Sequence, residues 1–260
     1  MSTVGYESTA VLGRHLQRIR HSPGVVVLTQ TMPITMLLFF GFVFGSALAT
    51  PGQEYRAFLV PGLLAATAAG GMMTGMFQSA QDAQRGVMDR FRTMPMSRVA
   101  VPLGQTAADV LTTAIGIVPL VLVGVAVGWR IEGSVPGALG AFGLLLLFRL
   151  ATTWAGAYLG LLIRNEEIAG QLGSVTFVLP LLSSAYIPTE GLPGGLRVVA
   201  EWNPISAVAA AVRELCGNAS PNPDAAWPSA NPVAGALLWA LVLLAVFVPL
   251  TVRRYTRSGA

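Results

Sequence analysis

"QDAQRGVMDRFRTMPMSR", residues 81–98, gathers six charged side chains, four of them arginines, in a chain with only 16 basic and 12 acidic residues in 260. The chain as a whole is 53% hydrophobic and 11% charged, whereas a soluble domain is about one quarter charged. So apolar a composition describes an all-α integral membrane protein, and the charged stretch is then a loop between crossings. A bilayer core about 30 Å thick needs roughly 20 apolar residues per helical span. Outward from the loop, runs of that kind lie at residues 25–48, 57–77, 101–127, 135–163, 168–187 and 233–252. Six transmembrane helices in a single membrane domain, residues 1–260, leave room only for short loops.

Six crossings put both termini on one side, and arginine decides which, because loops kept in the cytoplasm are enriched in basic residues. The side holding the termini carries eleven arginines, the other four (Arg56, Arg130, Arg197 and Arg213), and Arg149 falls inside the fourth run. Cytoplasmic termini follow. Residues 1–24 lack the short apolar core and small-residue cleavage site of a signal peptide. Val11, Leu12, Leu16 and Ile19 share one helical arc there, opposite Arg14, Gln17, Arg18 and Arg20, which predicts an amphipathic helix lying in the membrane interface.

Several chemistries are excluded. All sixteen basic residues are arginines, so neither a phosphate-gripping loop with its lysine nor a Schiff base can form. Cys216 is the sole cysteine, which rules out an internal disulfide and a thiolate zinc cluster. His15 and His21 read as interfacial residues, so no metal site is expected and no catalytic residue is assigned. The arginines are spread over loops, which argues against nucleic acid as a partner.

The loop is also patterned. Val87, Phe91 and Met94 fall on one helical face, with Asp82, Arg85, Asp89, Arg90 and Arg92 around it, and Pro95 ends the helix. A short amphipathic helix with an aromatic knob, residues 81–95 between spans 2 and 3, suits a groove on another protein, its charges setting register. Between spans 5 and 6, residues 188–232 contain "LRVVAEWNPISAVAAAVRELCGN". Arg197, Glu201, Asn203, Arg213 and Glu214 interrupt it too often for a crossing, so two short re-entrant helices dipping in from outside and broken at Asn203-Pro204 are predicted.

"GVMDRFRTMPMSRVAV" followed by "AAD" resembles the cytoplasmic loop of type-2 ABC exporter permeases of the daunorubicin/doxorubicin-resistance type. "FVLPLLSSAYIPTEGLPGGLRVVAEWNPISAVAAAVRELCGN" is similar to the fifth span and re-entrant segment of the same family. The resemblance implies a multi-pass permease of the bacterial plasma membrane that extrudes amphipathic drugs or antibiotics. It pairs with a second permease copy, identical or related, and sits on two copies of a separate ATP-binding subunit that holds ATP and Mg. Gly86, Val87, Asp89, Arg90, Phe91 and Arg92 would belong to the coupling helix docked on that subunit, and residues 1–24 to a connecting helix. Residues 220–231, "SPNPDAAWPSAN", look longer than the family pattern. Alternatives are a lipid or glycan exporter of the same family, or an ion-coupled secondary transporter, which would carry mid-membrane carboxylates.

Two intramembrane features complete the reading. Met72, Met73 and Met76 with Gly70, Gly71 and Gly75 give span 2 either a pliable substrate path or a close helix contact. Arg149 needs a partner at membrane depth. Counted inward at 1.5 Å per residue, Asp109 lies ~13 Å deep and Arg149 ~21 Å, within reach of an arginine side chain, which predicts an intramembrane ion pair.

Overall fold

The computed structural model describes residues 30–44, 52–85, 100–219 and 222–257. Among them every regular element is helical: α1 (Thr31–Phe39, ending in a π-turn, Phe40–Phe44), α2 (Gly52–Ala69), α3 (Gly71–Gln84), α4 (Ala100–Ala126), α5 (Val135–Ile163), α6 (Glu166–Val175), α7 (Val178–Leu181), α8 (Gly194–Trp202), α9 (Pro204–Leu215), α10 (Trp227–Ala230) and α11 (Pro232–Arg257). Four helices among the described residues are long and apolar enough to cross a bilayer: Tyr55–Gln84, Pro102–Ala126, Val135–Ile163 and Pro232–Tyr255. The described part of the first predicted span is shorter, an apolar helix over Thr31–Val43.

Local chemistry sets the helix ends. Ser134 caps α5, its hydroxyl accepting from Gly137 N, with proline in the first turn; a fixed φ and a missing N–H suit that position. The helix stops at Arg164, whose φ of 52° is left-handed. Asn165 then caps α6 by accepting from the amides of Glu167 and Ile168 at 2.9 and 3.1 Å, and Glu166 and Glu167 favour the positive end of the helix dipole.

The fifth predicted run, residues 168–187, is not one helix. It divides into α6, a turn at Thr176 and Phe177, α7, and irregular backbone. Pro180 has no N–H to continue the ladder. Thr176 Oγ1 bonds the Gly173 carbonyl and Ser183 Oγ the Pro180 carbonyl, both at 2.6 Å, the local bonds with which short hydroxyl side chains compete with a helix. The second run also differs from its predicted limits: it is helical through Gln84 and divides at Gly70. Gln81–Gln84 therefore continue α3 rather than opening a separate loop helix, and residues 86–95 lie outside the described residues.

α5 runs through the centre of the molecule. Leu144, Leu145 and Phe148 pack with Leu59, Leu63 and Leu64 of α2 and with Val208 and Val212 of α9. The outward faces are apolar as well: Ile115, Val118 and Leu122 on α4 and Leu238, Leu241 and Val242 on α11 are exposed. A surface of this kind is solvated by lipid rather than water.

α3 lies on α5 at backbone contact. A Cβ on Gly75 would collide with the Thr153 carbonyl, one on Gly156 with the Met72 carbonyl, and one on Gly160 with the Met76 carbonyl. Gly71 and Gly75 of α3 thus face the backbone of Arg149 and Thr153 on α5, and Gly156 and Gly160 of α5 face that of Met72 and Met76 on α3, small residues at a spacing that lets membrane helices approach closely without a hydrophobic drive between them.

Candidate functional site

Arg149 is the only charge on α5, and three neighbouring elements converge on it. Its Nε and Nη2 donate to the two oxygens of Asp109 on α4 at 2.7 and 2.6 Å, a parallel fork of the strong bidentate kind. Thr153, one turn along α5, donates its hydroxyl to Asp109 Oδ2 at 2.7 Å. The remaining guanidinium capacity goes to span 2: Nη1 donates to the Thr67 carbonyl and Nη2 to Thr74 Oγ1, each at 3.1 Å. Both charged side chains are buried, so each depends on these partners for what water would otherwise supply.

The recipient carbonyl lies one turn before Gly70, whose amide is shared between the Ala66 and Thr67 carbonyls at 3.2 Å each, a bifurcated bond of the kind found at helix ends. Thr152 Oγ1 donates to the next carbonyl, that of Ala68, at 3.1 Å. A Cβ at position 70 would stand 3.1 Å from the Thr67 carbonyl oxygen and 3.4 Å from Nη1.

The methionines of span 2 do not line one surface. Met76 is buried beside Ala80 and Ala169, Met73 is exposed and lies along Gly173 of α6, and the Met72 carbonyl faces Gly156. Their glycine neighbours serve the helix contact described above.

Asn203 joins α8 to α9. Its Oδ1 accepts from Ile205 N at 2.9 Å, capping α9 ahead of Pro204, while Nδ2 donates to the Leu179 and Leu182 carbonyls at 2.9 and 3.1 Å. The carbonyls freed by the end of α7 are thereby satisfied. Ser206 links the same pieces, donating to the Ala200 carbonyl at 2.5 Å and accepting from Ser184 N at 2.8 Å. Arg213 is 4% exposed. Its Nε donates to the Phe58 carbonyl at 3.0 Å, its Nη2 to the Ser184 carbonyl at 2.7 Å, and its guanidinium lies 3.6 Å over the Phe58 ring. Among the described residues no carboxylate stands within ion-pair distance of it.

Glu201 sits in a third knot. Arg197 Nε donates to Oε1 at 2.6 Å and Ala226 N to Oε2 at 2.7 Å. Burial pushes this carboxyl up, but the bonds from Arg197 and Ala226 together with the arginine charge outweigh it and hold Glu201 below the usual range. The same hydrogen bond, with the carboxylate charge, raises Arg197.

The residues assigned to the coupling helix, Gly86, Val87, Asp89, Arg90, Phe91 and Arg92, lie outside the described residues. The helix leading to them is anchored at its end: Gln81 Nε2 donates to Glu166 Oε1 at 3.1 Å, Glu166 N donates to Gln84 Oε1 at 2.9 Å, and Arg85 stands 3.7 Å from Glu166 Oε2. Sequence reasoning missed Glu166, and it missed Thr67, Thr74 and Thr153 around Arg149. Only Thr153 left a signal, one turn from Arg149 on the same face.

The model of the family described as ABC-2 type transporter matches residues 6–216. The chain is 31% identical over 252 residues to the daunorubicin resistance ABC transporter permease protein DrrB1 of Streptomyces coeruleorubidus, covering 96% of this chain and 86% of that protein. It is 25% identical over 211 residues, 78% of this chain and 71% of the relative, to a Cyanophora paradoxa protein named as a transport permease, ycf38. With buried polar groups at membrane depth, four apolar helices of spanning length and a family match over most of its length, the chain belongs to the ABC-2 type transporter family.

Proposed function

We propose that this chain is the membrane permease of an ATP-driven exporter of amphipathic drugs or antibiotics. It works as one of two permease copies on two copies of a separate ATP-binding subunit, which supplies the ATP and Mg chemistry. The observation that carries the reading is the identity to a daunorubicin resistance permease, spread over 96% of the chain rather than confined to one motif. In this reading six spans lie in a bacterial plasma membrane with both termini cytoplasmic, the first being residues 25–48 and the fifth the broken run 168–187. Residues 86–95 dock on the ATP-binding subunit, with Phe91 as the knob and Asp89, Arg90 and Arg92 as register. The helix pair α8 and α9 dips in from the external side.

Nucleotide-driven closure can favour one packing of the permease only through a difference in interaction between its two states. A rigid path from the docking segment into the bundle is therefore required. α3 supplies it, being fixed to Glu166 at one end and in backbone contact with α5 along its length.

The test is the chain co-expressed with its ATP-binding subunit and reconstituted in lipid. ATPase activity stimulated by an anthracycline, with ATP-dependent uptake of the drug into inverted vesicles, is the expected result. An active complex indifferent to the drug would move the substrate class to lipids or glycans. Failure to assemble with any ATP-binding subunit would overturn the reading.

A further inference from the structure

We propose that Arg149 is a positioning residue that clamps the break in span 2 at Gly70, so that the half of the span leading to the docking segment moves with the rest of the bundle. Its role in coupling rests on the exporter reading above; the clamp itself does not.

The argument starts from what an ion pair would need. Charge compensation alone asks for Asp109, and the fork of Nε and Nη2 supplies it. Arg149 does more, since Nη1 reaches the Thr67 carbonyl on α2 and Nη2 also reaches Thr74 Oγ1 on α3. These two acceptors lie on opposite sides of Gly70, where α2 ends and α3 begins. A helix broken at glycine bends cheaply there, and its angle is set by whatever bridges the break.

Both halves lie on α5, α2 against Leu144, Leu145 and Phe148 and α3 against Gly156 and Gly160, and each also has a neighbour of its own. Arg213 of α9 bonds the Phe58 carbonyl of α2. α3 bonds Glu166 of α6. Among the described residues Arg149 is the side chain whose hydrogen bonds reach both halves across Gly70, so it resists bending there in a way that the separate apolar contacts with α5 do not. Lysine cannot reproduce this, because a single ammonium can pair with Asp109 but lacks the planar fork with a further N–H directed elsewhere.

The experiment compares the wild-type chain with Arg149→Lys and Thr74→Val. Amide hydrogen exchange is measured in lipid nanodiscs, and anthracycline transport per ATP hydrolysed in the reconstituted complex. Loss of one clamping bond is expected to speed exchange over residues 67–74 about tenfold, with the amides of α5 unchanged. Transport per ATP is expected to fall about threefold or more at unaltered basal ATPase. Wild-type exchange and wild-type stoichiometry in Arg149→Lys would overturn the proposal, because the retained charge pair would then be all that matters. Should Arg149→Lys fail to accumulate, wild-type exchange and stoichiometry in Thr74→Val overturn the proposal, since that variant leaves the Asp109 fork intact; because Thr74 Oγ1 also donates to the Gly70 carbonyl at 3.2 Å, support from it requires the fall in transport per ATP as well as faster exchange. A wild-type complex that transports nothing refutes the exporter reading alone, because the exchange comparison still decides whether the clamp exists.

Discussion

Arg213 lays its guanidinium 3.6 Å over the ring of Phe58 and donates Nε to that residue's own carbonyl at 3.0 Å. One side chain of α9 thereby grips both the backbone and the aromatic face of a residue 155 positions earlier, and its Nη2 extends the grip to Ser184. Its charge is met by carbonyl dipoles and a ring quadrupole instead of a carboxylate, an arrangement that favours arginine over lysine.

Arg213→Ala should therefore be costly even though no ion pair is broken. Removing the guanidinium leaves the Phe58 and Ser184 carbonyls without this donor in a buried site, a loss of about 3 kcal/mol or more. The apparent unfolding midpoint in detergent should fall by roughly 10 °C. Arg213→Lys should recover less than half of that. Full recovery by lysine would show that charge matters there and the planar group does not.

The glycine contact between α3 and α5 makes a sharper pair of variants. In Gly156→Ala the new methyl would meet the Met72 carbonyl, whereas a Cβ at Gly143 on the same helix meets nothing within 4 Å. Overpacking against backbone cannot be relieved by a rotamer change. Gly156→Ala should lose about 3 kcal/mol, the upper end for such insertions, while Gly143→Ala should match or slightly exceed wild type, since alanine is the better helix former. Thermal unfolding of the two variants side by side is the check.

These contacts also mark how far the sequence could be read. The apolar runs gave the helical membrane class, and Asn203-Pro204 is a helix boundary by its own chemistry, an acceptor side chain followed by a residue without N–H. Asp109 and Arg149 could be related by counting depth along two helices. The break at Gly70 could not be read, because a glycine in an apolar run is equally at home in a continuous membrane helix and its effect depends on Arg149 taking the Thr67 carbonyl. Nor could the grip of Arg213 on Phe58, since a carbonyl acceptor leaves no residue signature. The run 168–187 misled for a related reason: hydropathy does not register the hydroxyls of Thr176 and Ser183 turning back on the backbone.

Glu201 predicts a response to acid. Its carboxyl is held below its ordinary value of 4.5 in the folded chain, so the unfolded state binds the proton more readily. The contribution is then fully present above about pH 4.5 and is lost as pH falls through the lower folded value. Tryptophan emission from Trp202 and Trp227, on the helices that Glu201 and Ala226 tie together, should hold steady to below pH 4.5 and then change. In Glu201→Gln that acid transition should be absent. A transition of the same size in both proteins would assign it to another group.

Phe91→Ala tests the docking segment directly. Removing an aromatic anchor from a helix-in-groove contact typically costs 2 kcal/mol or more of binding, so drug-stimulated ATPase should fall about tenfold or more. Membrane insertion should be untouched because the residue lies outside every predicted span. Near-normal drug export by this variant would contradict the assignment of residues 86–95 as the coupling helix.

The buried pair offers a last separation, between the worth of a charge and the worth of a contact. Asp109→Asn keeps the shape of the side chain but leaves the Arg149 charge uncompensated, a change that costs about 3–5 kcal/mol when one partner of a buried pair is removed. The double variant Asp109→Leu with Arg149→Met removes both charges, and apolar replacement of whole pairs is often close to neutral. It should regain most of the unfolding midpoint lost by Asp109→Asn. It should not regain transport per ATP, because methionine donates nothing to the Thr67 carbonyl or to Thr74. Stability and coupling recovering together would mean that the network at Arg149 contributes only charge balance.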